Sequence, residues 1–211
     1  MHDPLLACLI DTMQRTIESH ADQLNALDEA IGDGDHGTNL ARGLAAVAAR
    51  RQELAALPLA TALERVAALL ERETGGAGGT YYGALFAGMA GVAPAGLPDA
   101  AEFVAMLRAG VAAVQAKGGA RKGDKTLLDV LMPVSQAVES LVAEGRFDRL
   151  GGRMVAAAAH GLHATTHMEA KHGLAADLGV ASVNRLDPGA CSCALLIGAL
   201  VGALEDGQKA A

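Results

Sequence analysis

The sequence predicts an all-α protein, and three observations predict it. Half of the 211 residues are hydrophobic, and that half is mostly Ala, Leu and Val, with two Tyr, three Phe and no Trp. β-Branched residues are sparse, and the small side chains that replace them suit helices packed at close range. Glycine, proline and capping residues then cut the chain into segments of helical length.

The first helix opens with Asp3 as N-cap and Pro4 at the first helical position, where the missing N–H costs nothing, and runs to about His20. A short helix through "ADQLNALDEA" leads into an acidic turn. Further helices are expected near 38–52, 59–73, 79–92, 99–117, 124–144, 148–171 and 188–205. The one capped by Asp99 carries Phe103, Met106, Leu107, Gly110 and Val114 at three- and four-residue steps, which puts them on one face. Several helices are rich in Ala and Gly almost all round, so each should touch neighbours on more than one side, as in a closed up-and-down bundle. No linker or internal repeat interrupts the chain, so residues 1–211 read as a single domain.

Charge and cysteine content narrow the function. A formal net charge of −7 without a Lys/Arg cluster excludes a general nucleic-acid binder. Cys8, Cys191 and Cys193 are an odd number without zinc-like spacing, and the N-terminus lacks a basic region ahead of an apolar run that Asp11 interrupts, which predicts a reduced, cytoplasmic protein. The uncharged stretch 188–204 approaches the roughly 20 residues that cross a bilayer. It opens on Asp187-Pro188-Gly189, contains Ser192 and closes on Glu205 and Asp206 without cationic anchors, so it reads as a central bundle helix and not as a membrane span.

Four connections combine glycine with polar or acidic residues: "IGDGDHGTN" (31–39), "TGGAGGTYYG" (74–83), "KGGARKGDKT" (117–126) and "NRLDPGACS" (184–192). Alternate loops of an up-and-down bundle fall at the same end, so these four are spaced to converge on one site.

The first of them contains "GDGDHG" (32–37), which satisfies the GxGxxG pattern, but a helix precedes it and two aspartates occupy positions that would repel a bare pyrophosphate. An EF-hand also fails, because counting from Asp33 the fifth position is Gly37 and the twelfth is Leu44. A cation site remains. Asp28, Asp33 and Asp35 can bring three carboxylates within about 4–5 Å, and two unit charges about 4 Å apart repel by about 4 kcal/mol at an effective dielectric near 20. Few, hard oxygen ligands suit Mg²⁺ that keeps waters and shares phosphate oxygens. His36, Thr38 and Asn39 follow at a helix N-terminus, whose free N–H groups and dipole favour phosphate, and Asp35 or Thr38 is placed to cap that helix.

"GGAGG" (75–79) sets exposed N–H groups at another helix start. "GGARKGDKT" is no Walker loop, since Asp124 intrudes between Gly123 and Lys125 and no strand precedes it. Lys125 reads as a solvated or Asp-paired residue and Asp124 as an N-cap. His160, His163, His167 and His172 fall on the helix expected at 148–171 or just beyond it, without the acidic or Cys partner that would complete a zinc site.

With these residues in hand, the chain resembles the nucleotide-binding (L) subunit of dihydroxyacetone kinase. "DEAIGDGDHGTNLARG", "GGAGGTYYGALF", "GGARKGDKTLLDVLMPV" and "LDPGACSCALL" stand in that family's order and spacing. The resemblance implies a barrel of eight antiparallel helices with the nucleotide across the loops at one end. It implies that Asp28, Asp33 and Asp35 ligate two magnesium ions bridging the phosphates of ADP or ATP. It places His36, Gly37, Thr38 and Asn39 in the phosphate segment, Ala77 and Gly78 in the second nucleotide loop, Gly118 and Leu127 on the adenine side, and Asp187, Pro188 and Gly189 in the closing motif.

The resemblance further implies two partners, a K subunit that holds dihydroxyacetone covalently and a phosphohistidine carrier (M-type) that recharges ADP, and it leaves the oligomeric state open, a homodimer included. The family usually reads "GRASYLGERSIGH" where this chain has "GLAADLGVASVNR" (173–185). Leu174 stands in place of an arginine, Val180 and Ala181 in place of a charged pair, and Gly78 in place of a serine. These changes remove positive charge and one hydroxyl donor, which leaves two expectations open: weaker nucleotide binding, or substitution of the charge by Arg185 or Arg121. The departures leave open a kinase subunit for a different ketose, one drawing on free ATP, or a non-catalytic regulator that binds a partner protein.

Overall fold

The computed structural model describes residues 4–210, so the cap expected at Asp3 lies outside the described residues. These residues form eleven α-helices, and no strand occurs among them. Eight are long: α1 (Pro4–Ser19), α3 (His36–Ala48), α5 (Leu59–Thr74), α6 (Gly76–Ala90), α7 (Ala100–Gly118), α8 (Leu128–Ala143), α9 (Leu150–Ala164) and α11 (Pro188–Ala210). Three are short: α2 (Ala21–Glu29), α4 (Arg51–Ala55) and α10 (Gly173–Asp177). Each long helix packs on the next, and α11 packs on both α9 and α1, the order of neighbours that an eight-helix barrel requires. The core between them is built from aliphatic side chains, among them Ile17, Leu40, Leu70, Leu128, Val134 and Val138, all fully buried.

Local chemistry sets several of the boundaries. Asp99 accepts from the N–H of Glu102 at 2.8 Å while Glu102 Oε2 accepts from the N–H of Asp99 at 2.8 Å, a reciprocal capping box that starts α7. The helix ends at Gly119, which takes the left-handed conformation (φ 68°) that closes a C-terminus. On the apolar face expected for this helix, Met106, Leu107, Gly110 and Val114 are buried, and Phe103 packs against the core as a partly buried side chain. Pro133 lies inside α8 and has no N–H to give the Asp129 carbonyl. Gly161 of α9 covers that oxygen; a Cβ there would stand 2.2 Å from it, so only glycine lets the two helices meet through a Cα–H contact.

Three expected boundaries are corrected. The helix expected at 38–52 starts at His36 and breaks into α3 and α4 around Ala49 and Arg50. The one expected from Asp124 starts at Leu128, because Gly123 (φ 98°) and Lys125 (φ 61°) turn the chain in left-handed conformations just before it. The one expected at 148–171 stops at Ala164 and passes into a 3₁₀ turn, so His167 and His172 leave the helix that carries His160 and His163. Helix α10 and the 3₁₀ turn Gly179–Ser182 lie where no helix was expected.

Helix α11 is long and apolar enough to cross a membrane by length and composition. It packs against α1, α2, α3, α8 and α9, and Ala190, Cys191, Cys193, Ile197 and Val201 are buried in those contacts. The core it enters thus takes up part of its apolar surface.

Candidate functional site

A cavity of about 340 Å³ opens among the loops. Its walls come from residues of the acidic turn and the start of α3, the glycine loop before α6, Lys125 to Leu127, His172 to Ala175, and Asp187 to Gly189. The four connections expected to converge therefore do so, joined by a fifth segment, the start of α10.

Asp28, Asp33 and Asp35 each offer a carboxylate oxygen, and these oxygens lie within 4.8 Å of one another. Asp28 is half-buried and the other two are exposed. Asp28 Oδ2 accepts from the N–H groups of Gly34 (3.0 Å), Asp35 (3.0 Å) and His36 (3.2 Å). The cap of α3 is thus the carboxylate of Asp28, delivered from the end of α2, and neither Asp35 nor Thr38 serves as its side-chain cap. Three hard oxygens at this spacing fit a magnesium ion that completes its shell with water and phosphate.

The expected phosphate segment 36–39 divides in two. His36 and Asn39 line the cavity; Gly37 and Thr38 do not. Gly37 faces the carbonyl of Ala21, 2.1 Å from where a Cβ would stand. Thr38 donates its N–H to Asn25 Oδ1 (3.0 Å) and accepts from Asn25 Nδ2 at Oγ1 (2.8 Å), a reciprocal pair that fastens α3 to α2.

His36 is held by residues that the sequence reading did not single out. Its Nε2 lies 2.9 Å from Ser192 Oγ, and the hydroxyl of Tyr82 lies 2.8 Å from the same oxygen. Ser192 Oγ also lies 3.0 Å from the Gly189 carbonyl, and with its hydroxyl hydrogen directed there it is free to accept from both Tyr82 O–H and His36 Nε2–H. Burial lowers the His36 pKa, while Asp28 and Asp35 pull it back upward. The only hints in the sequence were a serine inside an uncharged helix and a tyrosine in the glycine-rich loop, both buried polar groups in need of partners.

The second glycine loop begins at Gly75 and Gly76, both at positive φ, and Ala77 and Gly78 line the cavity as expected. Arg42 donates from Nε to Glu73 O (2.8 Å) and from Nη2 to Thr74 O (2.7 Å), capping α5 and tying this loop to α3. Leu127, Asp187, Pro188 and Gly189 line the cavity, whereas Gly118 does not: it packs under Tyr81, whose ring would lie 2.5 Å from a Cβ at 118 and which itself forms the wall.

Lys125 is neither solvated nor a simple partner of an aspartate. It is 3% exposed, and its Nζ donates to the carbonyls of Thr165 (2.6 Å), Met168 (3.4 Å) and Arg185. Asp124 caps no helix; it accepts from Arg121 N (2.7 Å) and bonds His172 Nε2 (3.0 Å). The start of α8 is organised instead by Asp129, which accepts from Gly123 N and from Thr126 N at 2.8 Å.

Burial raises the Asp187 carboxyl from 3.8 to about 7, against the opposing pull of the Ala190 N–H and of Lys125. A carboxyl held up in this way stays protonated in the folded chain after the unfolded chain has released its proton, so folding weakens as pH rises from about 4 to about 7. Asp187→Asn removes that penalty. The variant is expected to gain on the wild type across this window by as much as about 4 kcal/mol, read by denaturant unfolding at pH 4.5, 6 and 8. A difference that stays flat with pH would count against a buried neutral carboxyl.

Leu174 lines the cavity and is 56% exposed, and Leu178 and Val180 are exposed beyond it, so the rim carries apolar side chains where a cation was expected. Neither Arg121 nor Arg185 is among the lining residues; Lys125 and His172 are.

The fold and site together define an all-α protein whose acidic turn, glycine-led helix starts and buried lysine face one cavity, a class apart from P-loop and doubly wound nucleotide folds. The chain belongs to the DAK2 domain family, which matches residues 30–202. It is 33% identical over 205 residues to the "PEP-dependent dihydroxyacetone kinase 2, ADP-binding subunit DhaL" of Listeria innocua, covering 96% of this chain and 94% of that one. The corresponding subunit of kinase 1 from the same organism is 33% identical over 185 residues, 88% of each chain. The D-erythrulose kinase of Mycolicibacterium smegmatis is 32% identical over 90% of this chain, which spans 34% of that protein. The crystal structure of the C. freundii dihydroxyacetone kinase in complex with AMP-PNP and Mg²⁺ superposes with a TM-score of 0.76 at 26% identity, over 96% of this chain and 34% of that one.

Proposed function

We propose that this chain is the ADP/ATP- and Mg²⁺-binding subunit of a cytoplasmic dihydroxyacetone kinase, passing the γ-phosphoryl group to a ketose held covalently on a separate K subunit. The observation that carries the reading is the set of three carboxylate oxygens within 4.8 Å on the wall of a cavity whose other side is a glycine-led helix start. Asp28, Asp33 and Asp35 would hold two magnesium ions, which when bound neutralise the phosphates and polarise the transferred group. The N–H groups opening α6 at Ala77 and Gly78 would donate to phosphate oxygens, with His36 and Asn39 beside them. Leu127 and the wall formed by Tyr81 suit the base, and Asp187, Pro188 and Gly189 close the cavity.

None of these groups is a nucleophile, in keeping with a reaction that asks for positioning and charge neutralisation. The names of the Listeria relatives, PEP-dependent and ADP-binding, support a bound ADP, and its recharging by a phosphohistidine carrier is what the family resemblance implies. Calorimetric titration with ADP tests the binding step: heat is expected with Mg²⁺ and none without it. Adding a dihydroxyacetone-binding subunit and the phosphohistidine carrier is then expected to yield triose phosphate. Product with ATP alone would point instead to a free-nucleotide kinase, and no product from either donor to a regulator.

A further inference from the structure

We propose that Lys125 is a positioning residue: from the floor of the cavity its ammonium fastens both ends of segment 169–184, which supplies one wall of the site. The carbonyls of Thr165 and Met168 precede the segment and that of Arg185 follows it, and Lys125 Nζ reaches all three. An ammonium has three hydrogens, and here each has a backbone acceptor, so the side chain donates nothing to a ligand. What it gives the site is a fixed wall and a fixed positive charge.

The backbone argues that the side chain is there for this purpose. Lys125 sits at φ 61°, a conformation that glycine and asparagine adopt far more readily than lysine. Its cation is 3% exposed, with Asp129 as a nearby opposite charge and Asp187 joining it once that raised carboxyl ionises. A long, cationic residue is thus held in a costly backbone state and out of water, where a glycine would turn the chain with less strain.

The segment it fastens is a closed loop at its base. Asn184 donates to Thr166 O (2.7 Å), and Ala170 N donates to Ser182 Oγ (2.9 Å). One lateral tie runs to the residue before the lysine: Lys171 N to Asp124 O (3.1 Å), with His172 Nε2 on Asp124 Oδ2 (3.0 Å). Beyond these points, His172 to Ala175 face the cavity and Leu178 and Val180 are exposed, so the wall itself adds little packing of its own. Asp124 and Lys125, adjacent in sequence, therefore hold the front and the base of the same wall.

Lys125→Gly and Lys125→Asn test the assignment, because both suit the left-handed turn while removing the ammonium and the stem that carries it. Hydrogen exchange, followed by mass spectrometry on the full chain without nucleotide, is expected to quicken at least about tenfold in 169–184 and to stay unchanged in α3. Folded variants whose 169–184 amides exchange at the wild-type rate would overturn the proposal. Should neither variant fold, lysine labelling of the wild type decides: Lys125 should react far more slowly than the exposed Lys122 and Lys171, and equal rates would overturn it. The consequence for ligand rests on the proposed function: ADP should leave the variants faster while Mg²⁺ affinity holds. The exchange readout needs no nucleotide, so a wild type that binds no ADP would sink the functional reading and leave the role of Lys125 standing.

Discussion

Changing Asp33 and Asp35 together to asparagine is expected to abolish Mg²⁺-dependent ADP binding, with a loss of about 100-fold or more in affinity, or about 2.7 kcal/mol. In the proposed function the carboxylates that converge within 4.8 Å are the groups through which phosphate is reached, and asparagine keeps their size while removing their charge. The sign of a second effect separates this from simple unfolding. Removing two of three mutually repelling charges relieves the metal-free turn, so the variant should melt no lower than the wild type without Mg²⁺ and should lose only the rise in Tm that Mg²⁺ and ADP confer. Asp28 remains in place to hold the turn through its three N–H bonds. Tight Mg²⁺-dependent binding by the double variant would refute the metal assignment.

Gly37→Ala is expected to cost about 3 kcal/mol or more, at the upper end of overpacking effects, because the obstacle is backbone. The added methyl would stand 2.1 Å from the Ala21 carbonyl oxygen and 2.8 Å from its carbon, so no side chain can swing aside and α2 must move away from α3. For a chain of this length that corresponds to a fall in Tm of roughly 6–12 °C, measurable by circular dichroism. Because α2 carries Asp28 and Asn25, the displacement also breaks the acidic turn and the Asn25–Thr38 pair. The position reads in the sequence as part of a phosphate-binding stretch, but its requirement for glycine comes from helix contact.

How far the sequence alone could be read follows from where each signal resides. The long helices are legible because caps and glycine stops are local: Asp99 with Glu102, and Gly119 after α7, carry their own chemistry. The convergence of four loops is legible from helix alternation, and the acid triad from the cost of placing three carboxylates among glycines. Tertiary burial is what stayed hidden. Lys125 looks like any loop lysine until three carbonyls from distant segments surround it. Ser192 and Tyr82 are separated by 110 residues, and only the fold brings them to His36. The helix expected to run on to 171 is ended by contacts that its alanine-rich sequence does not announce, with Thr165 Oγ1 bonded to Leu162 O and Met168 extended.

The three bonds on Asp28 Oδ2 have a consequence for the ion itself. That oxygen is saturated by amide hydrogens, so the aspartate stands as a fixed post, its free Oδ1 lying over Gly32, while Asp33 and Asp35 remain exposed side chains with rotamers to choose. One of the three ligands is cast before the cation arrives and two are adjustable. On the proposed function, loading the site would cost the ordering of two side chains and not three, and a cation of another radius, Mn²⁺ for example, would be accommodated by the movable pair without disturbing the start of α3.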